Sequence, residues 1–103
     1  MNQRQKVLNF LGLAQKAGKL VTGTDAVILG LKAKKVYFVL VGSDLTQNSL
    51  EKITQVSSKV NVIVNQDFTS DEISQAIGQE RKVIGLIDQK FSKALKQKIK
   101  EGV

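Results

Sequence analysis

The segment from Ala17 to Val27 contains the residues whose types and spacing could do chemistry in this chain. Gly18 and Gly23 bracket a basic residue, Lys19, and a short apolar stretch. The pattern predicts the end of one helix, a short crossing strand and the glycine-marked start of a second helix. A helix start presents unpaired backbone N–H groups and the positive end of a dipole, which suit a phosphate or a base edge. The segment therefore predicts a contact with an anion or a nucleic acid.

The glycines of this segment also have the spacing of a phosphate-binding P-loop. That motif requires a lysine directly after the second glycine, where this chain has Thr24. It also requires a strand before the loop, whereas Gly18 follows a predicted helix. We therefore expect no nucleoside triphosphatase activity.

Most side chains that perform catalysis are absent from the sequence. The 103 residues include no Cys and no His, which excludes thiol nucleophiles, imidazole bases and nearly all zinc sites. The nine carboxylates show no familiar metal-ligand spacing. Asp71 and Glu72 fit a helix capping box, and Ser43 beside Asp44 has no base to activate it. We expect no enzymatic activity, no cofactor and no metal.

The charge balance favours a polyanionic partner. Sixteen Lys and Arg against nine Asp and Glu give a formal charge of +7 and a pI near 9.8. Arg81 and Lys82, in the turn before the last predicted strand, could contact phosphates or merely flank that strand. Five lysines near the end of the sequence are most simply the solvated face of an amphipathic helix: Lys90, Lys93, Lys96, Lys98 and Lys100.

Apolar runs indicate a soluble protein with a single domain, residues 1–103. Asn9, Gly12 and Gln15 interrupt the apolar positions of the first fifteen residues, so we expect no signal peptide. The longest apolar run, 36–41, is too short to cross a bilayer. We expect a cytoplasmic protein that does not contact membranes.

Helical and strand patterns alternate along the chain, which predicts a central sheet with helices on both faces, a three-layer α/β/α sandwich. Thr46 and Asn48 both fit the cap of the third helix, and Asp88 fits the cap of the last one. The predicted helices are 3–17, 24–33, one containing Leu50, Ile53 and Val56, 69–78, and one from Asp88 onward; the predicted strands are 20–22, 36–41, 60–64 and 83–87.

Several short patterns resemble the kink-turn-binding ribosomal protein family of archaea and eukaryotes, and in particular its small bacterial members. The patterns are Leu11-Gly12-Leu13-Ala14, Ala17-Gly18-Lys19, Gly23-Thr24-Asp25-x-Val27, Ala76-Ile77-Gly78 and Asp88-Gln89-x-Phe91, in this order. The resemblance covers the whole chain. It implies a four-stranded mixed sheet and binding to a sharply bent RNA helix that contains tandem G·A pairs.

The resemblance also implies which residues contact RNA. The start of the second helix enters the widened groove at the G·A pairs and meets guanine edges, and a loop before the last strand covers extruded nucleotides. Lys19 would contact a phosphate. The implied contacts are Lys19, then Gly23, Thr24 and Asp25 at the helix start, then Gly78, Gln79, Glu80, Arg81 and Lys82 in the loop.

Three positions depart from the strongest binders of that family. Those proteins carry Asn-Glu after the Gly-Thr pair and a lysine one turn later, where this chain has Asp25, Ala26 and Leu29. Ala26 cannot accept a hydrogen bond from guanine, and Leu29 cannot pair with a phosphate. Each good base contact discriminates by about 1–3 kcal/mol, so these departures predict weakened or altered recognition.

The sequence thus predicts a monomeric, non-enzymatic protein that binds structured RNA, such as ribosomal RNA, and no small-molecule substrate. The alternative is a protein-interaction module, for example a ribosome or translation adaptor, whose basic face meets an acidic partner.

Overall fold

The computed structural model describes residues 2–102. Helices and strands alternate along the chain as α1 Gln3–Lys16, β1 Leu20–Thr22, α2 Thr24–Lys32, β2 Phe38–Val41, α3 Gln47–Lys59, β3 Val64–Asn65, α4 Ser70–Ile77, β4 Val83–Leu86 and α5 Gln89–Lys100. None of these helices is long and apolar enough to cross a membrane.

The four strands form one mixed sheet in the order β1-β4-β2-β3. Strand β4 is antiparallel to both β1 and β2, whereas β2 and β3 are parallel. Because β1 and β4 run in opposite directions, the end of β1 and the start of β4 lie at the same edge of the sheet. This edge, which is formed by strand ends and not by an outer strand, carries the start of α2 and the loop that follows α4.

Alternate residues of the central strands point to opposite faces, and each face has its own core. Phe38 and Leu40 of β2 pack with α1, α4 and α5, while Val39 and Val41 pack with α2 and α3. The two strands at the centre of the sheet are buried along their whole length. The predicted three-layer α/β/α sandwich with a four-stranded mixed sheet is confirmed.

The predicted strand 36–41 is wrong at its start, because β2 begins at Phe38 and Val36 still belongs to the connection from α2. Lys34 adopts a left-handed conformation with φ of 59°, and the N–H groups of Lys35 and Val36 both donate to the carbonyl of Gly30. Val36 is nevertheless buried. Its apolar side chain belongs to the core without belonging to the strand.

The predicted strand 60–64 is displaced for the same kind of reason. Val60 caps the C-terminus of α3, Asn61 has a φ of 58°, and the N–H of Val62 donates to the carbonyl of Ser57. The alternating valines therefore form the turn that ends α3, and β3 begins only at Val64. Alternating apolar residues are typical of a strand, but here they lie at the end of a helix and pack on the core.

The remaining caps follow the sequence closely. Thr46, not Asn48, caps α3, and its hydroxyl accepts from the Ser49 N–H. Thr69 and Glu72 form the predicted capping box of α4. That helix ends at Gly78, which adopts the left-handed conformation with φ of 77°.

Candidate nucleic-acid interface

The start of α2 is set by the backbone of Gly23. This residue has φ of 96° and ψ of 150°, a backbone conformation that residues other than glycine rarely adopt. Its N–H donates to the carbonyl of Val83 at 2.8 Å, and its carbonyl accepts from Val27 N–H at 3.0 Å. The helix start is thus fixed to β4 by main-chain contacts, and no side chain caps it.

Among the five helices of the described chain, α2 is the one without a side-chain cap. The other four starts are capped by Asn2, Thr46, Thr69 and Asp88, each of which accepts a backbone N–H. Since Val27 is the first residue of α2 with an intrahelical bond, the N–H groups of residues 24–26 point outward from an uncapped end. Such groups, together with the helix dipole, can donate to a phosphate or a base acceptor.

The loop after α4 lies at the same edge and is held in place from both sides. The hydroxyl of Ser74 accepts from the Arg81 N–H at 3.0 Å and donates to the Arg81 carbonyl at 2.9 Å. The carbonyl of Lys82 accepts from Gly42 N–H at 2.8 Å. The side chains of Glu80, Arg81 and Lys82 remain exposed. The loop therefore presents two cations on an ordered backbone.

Arg81 joins this loop to the start of α2. Its Nε donates to the hydroxyl of Thr22, the last residue of β1, at 3.3 Å, and its Nη1 donates to the carbonyl of Glu80 at 2.8 Å. The guanidinium is therefore held beside Gly23 without being neutralised by a carboxylate in the described chain. Eight of the nine implied contact residues, those at 23–25 and 78–82, share one edge of the sheet.

Lys19, the ninth, lies elsewhere. It precedes β1, whereas Gly23 follows it, so the two are separated by the length of the strand, roughly 13 Å. The carbonyl of Lys19 accepts from Ile87 N–H, and its ammonium group is 3.6 Å from a carboxylate oxygen of Asp88. The structure does not bring Lys19 together with the other eight residues, so a contact from Lys19 would have to reach a different phosphate.

The outer face of α2 exposes the three positions that depart from the strongest binders. Asp25 and Ala26 are exposed beside the helix start, and Leu29 is 68% exposed one turn later. This face can supply one carboxylate acceptor for a guanine N–H, at Asp25, next to a methyl group and an aliphatic side chain. The face therefore offers fewer hydrogen-bonding groups than an Asn-Glu pair would.

Other carboxylates have structural partners. Asp44 accepts from the Ser70 N–H, and this hydrogen bond lowers the pKa of Asp44. The guanidinium of Arg4 donates to Glu72 and lowers the pKa of Glu72 to about 2. The described chain contains no group of three or more Asp or Glu placed to hold a metal ion.

Two residues that shape this edge have no role in the resemblance. Thr22 is the last residue of β1, and its hydroxyl accepts from the Arg81 side chain. Ser74 lies in the middle of α4 and fixes the loop backbone at Arg81. Their partners are 59 and 7 residues away along the chain. Neither contact has a local sequence pattern that would reveal it.

Comparison with known proteins gives close relatives. The chain is 40% identical to the RNA-binding protein YlxQ of Enterococcus faecium over 96 residues, which cover 93% of each protein. It is 31% identical to the RNA-binding protein YlxQ of Bacillus subtilis strain 168 over 87 residues, covering 84% of this chain and 87% of that protein. Both names describe RNA binding, and neither gives an enzymatic activity. The predicted resemblance to small bacterial members is thereby confirmed.

Solved structures show the same fold. A protein of unknown function from Bacillus halodurans C superposes with a TM-score of 0.88 at 31% identity, covering 92% of this chain and 97% of that one. The 15.5kD RNA binding protein of Giardia lamblia superposes with a TM-score of 0.77 at only 9% identity, covering 98% and 88%. The second similarity concerns the fold alone.

A sequence profile of the ribosomal protein L7Ae/L30e/S12e/Gadd45 family matches residues 5–98, nearly the whole chain. With the fold, the order of motifs and the relatives described above, this match shows that the chain belongs to the ribosomal protein L7Ae/L30e/S12e/Gadd45 family.

Proposed function

We propose that this protein binds structured RNA that contains a kink-turn or a similar bend, such as a segment of ribosomal RNA, at the edge formed by the start of α2 and the loop 78–82. The observation that carries the proposal is the uncapped start of α2 with the Arg81 guanidinium held beside it. The names of the two YlxQ relatives support RNA as the partner.

The mechanism follows from the geometry of this edge. The three outward N–H groups at residues 24–26 meet base edges or phosphates in the widened groove, and the carboxylate of Asp25 accepts from a guanine N–H. Arg81 and Lys82 contact the RNA backbone on the flank of the groove. Phosphate contacts orient the RNA, while its shape provides selectivity. Asp25 and Glu80 repel phosphates, which restricts the orientations in which the RNA backbone can approach. We propose that a cytoplasmic monomer binds one RNA site.

The salt dependence of binding tests which cations take part. Arg81→Ala combined with Lys82→Ala removes two charges from the proposed edge, so the slope of log K against log salt should become shallower by about 1–2. The measurement is a fluorescence-anisotropy titration of a labelled kink-turn RNA at several salt concentrations.

Lys32→Ala with Lys59→Ala is the matched control, because it removes the same charge from exposed residues at the far ends of α2 and α3. We expect this control to change the slope by less than half as much. An equal effect of both pairs, or no effect of the Arg81/Lys82 pair, would contradict the proposed edge.

A further inference from the structure

A second basic surface lies on the other side of the sheet from α2. Helix α5 contains five lysines and no Asp or Glu between Gln89 and Lys100. The two ion pairs of the described chain, Arg4 with Glu72 and Lys19 with the α5 cap residue Asp88, include none of the lysines of this helix. Its positive charge is therefore not neutralised by nearby carboxylates of the described chain, and the proposed RNA contact at α2 does not use it.

A groove of about 370 Å³ runs between α5 and the edge strand β3. Its floor is aliphatic, because Ile63 is 57% exposed and Ile99 is half-buried. Lys93, Lys96 and Lys100 follow one another at helical spacing along its wall. The groove thus combines an apolar floor with a row of cations.

The backbone of β3 adds a directional feature. This strand is an outermost strand of the sheet, with β2 as its one neighbour. The Ile63 carbonyl accepts from the Val39 N–H, and Val64 lies opposite Val39. In a parallel ladder, alternate residues of a strand bond to the same neighbour. The N–H and carbonyl of Val64 therefore point away from β2, where an extended chain can pair with them.

The chemistry of the groove selects against nucleic acid as its occupant. Bases bind to exposed aromatic faces, and the aromatic residue of this groove, Phe38, is only 2% exposed. One face of its ring is already covered by Lys96, whose Nζ is 5.6 Å from the ring centroid. An aliphatic floor suits an aliphatic side chain, and the lysines suit carboxylates on either side of it.

We propose that the groove between β3 and α5 binds a short, extended, acidic segment of a partner protein. An aliphatic side chain of that segment packs on Ile63 and Ile99, and its flanking carboxylates pair with Lys93, Lys96 and Lys100. Its backbone pairs with the Val64 peptide groups. Because this surface is on the opposite face of the sheet from α2, the partner and the RNA bind at the same time.

The test is an NMR titration of the ¹⁵N-labelled full chain with an N-acetylated, C-amidated peptide of about seven residues in which glutamate and isoleucine alternate. We expect saturable shifts at residues 63–65 and 93–100 at physiological salt. Absence of binding, or shifts centred on residues 23–26 and 78–82, would overturn the proposal.

Two variants separate a groove from general charge attraction. Lys93→Glu with Lys100→Glu should weaken peptide binding about tenfold or more, whereas Lys32→Glu with Lys59→Glu, the same charge change on the other side of the sheet, should leave it within about twofold. Equal weakening by both pairs would show attraction to net charge only and would refute the groove. Circular dichroism reports whether each variant is folded.

If the α5 variant does not fold, Ile63→Ser provides an independent variant, since it changes the floor without altering charge. Weaker peptide binding is expected, and unchanged binding would refute the groove. A single-stranded RNA of about seven nucleotides is the competing probe. Tighter binding of this RNA than of the peptide at residues 63–65 and 93–100 would assign the surface to nucleic acid instead.

Discussion

At the scale of single residues, Gly23 determines how α2 begins. Its φ of 96° and ψ of 150° let the chain leave β1 and enter the helix while its N–H reaches Val83. An added Cβ would meet no atom within 4 Å, so the cost of a side chain here comes from the backbone conformation and not from a clash.

We therefore expect Gly23→Ala to lower the free energy of unfolding by about 1–3 kcal/mol. Gly78→Asn is the control, because Gly78 is in the left-handed helical region that asparagine tolerates, and this change should cost less. Urea unfolding of the two variants measures the difference. A Gly23→Ala protein as stable as the wild type would show that the helix start does not depend on this conformation.

In the proposed RNA complex, we expect Asp25 and Ala26 to determine how strongly the helix start binds a base edge. Asp25→Asn with Ala26→Glu restores the pair found in the strongest binders that the chain resembles and leaves the net charge unchanged. The double change should raise affinity for a kink-turn RNA about tenfold or more, since each good base contact contributes about 1–3 kcal/mol. Isothermal titration against that RNA, and against a version without G·A pairs, measures the gain. A gain of equal size for both RNAs would exclude a contact to the G·A pairs.

At the scale of elements, α1 is joined to α4 by Arg4. Its guanidinium donates to both carboxylate oxygens of Glu72 at 2.6 Å, donates to the Asp67 carbonyl at 2.8 Å, and lies 4.6 Å from the centroid of the Phe68 ring. Because α4 carries Ser74 and ends at the loop 78–82, for which we propose an RNA contact, this ion pair also supports the position of that loop.

The Arg4–Glu72 pair predicts a specific loss of stability in acid. The pKa of Glu72 is about 2 in the folded protein, against an ordinary value of 4.5, so the unfolded chain binds more protons between these two values. The stabilisation is complete above about pH 4.5 and disappears as the pH falls through about 2. Glu72 is partly exposed and solvent screens the pair, so we expect about 1–2 kcal/mol.

Glu72→Gln should therefore reduce the difference in unfolding free energy between neutral pH and about pH 2.5. Urea unfolding at the two pH values measures this difference. Asp71→Asn, which removes a carboxylate from the same turn of α4 without contacting Arg4, is the control and should retain it. A Glu72→Gln protein with the wild-type pH dependence would refute the assignment.

The sequence predicted elements well where local chemistry decides them. Buried runs located β2 and β4, and capping residues located the starts of α4 and α5. The prediction of β3 failed because Val60 and Val62 alternate like the residues of a strand, whereas in the structure they form the turn that ends α3. Within the candidate site, the correctly predicted strand 20–22 already separates Lys19 from Gly23, whereas the Arg81–Thr22 contact joins distant segments and could not be predicted locally.

At the scale of the whole molecule, the cations that the two proposals use lie on two different surfaces. Arg81 and Lys82 lie at the sheet edge beside α2, whereas the lysines of α5 lie across the sheet. The described chain extends only 35 Å along its longest axis, so both surfaces attract any polyanion at low salt. Specificity must therefore be measured near physiological salt, where this shared attraction is screened.

The most direct test of the RNA-binding proposal is a titration of the protein against a kink-turn RNA and against the same RNA with its G·A pairs replaced by Watson–Crick pairs, at about 0.15 M salt. We predict at least about tenfold tighter binding to the intact kink-turn, equivalent to about one base contact. Equal affinity for the two RNAs, or no binding to either, would contradict recognition through the start of α2.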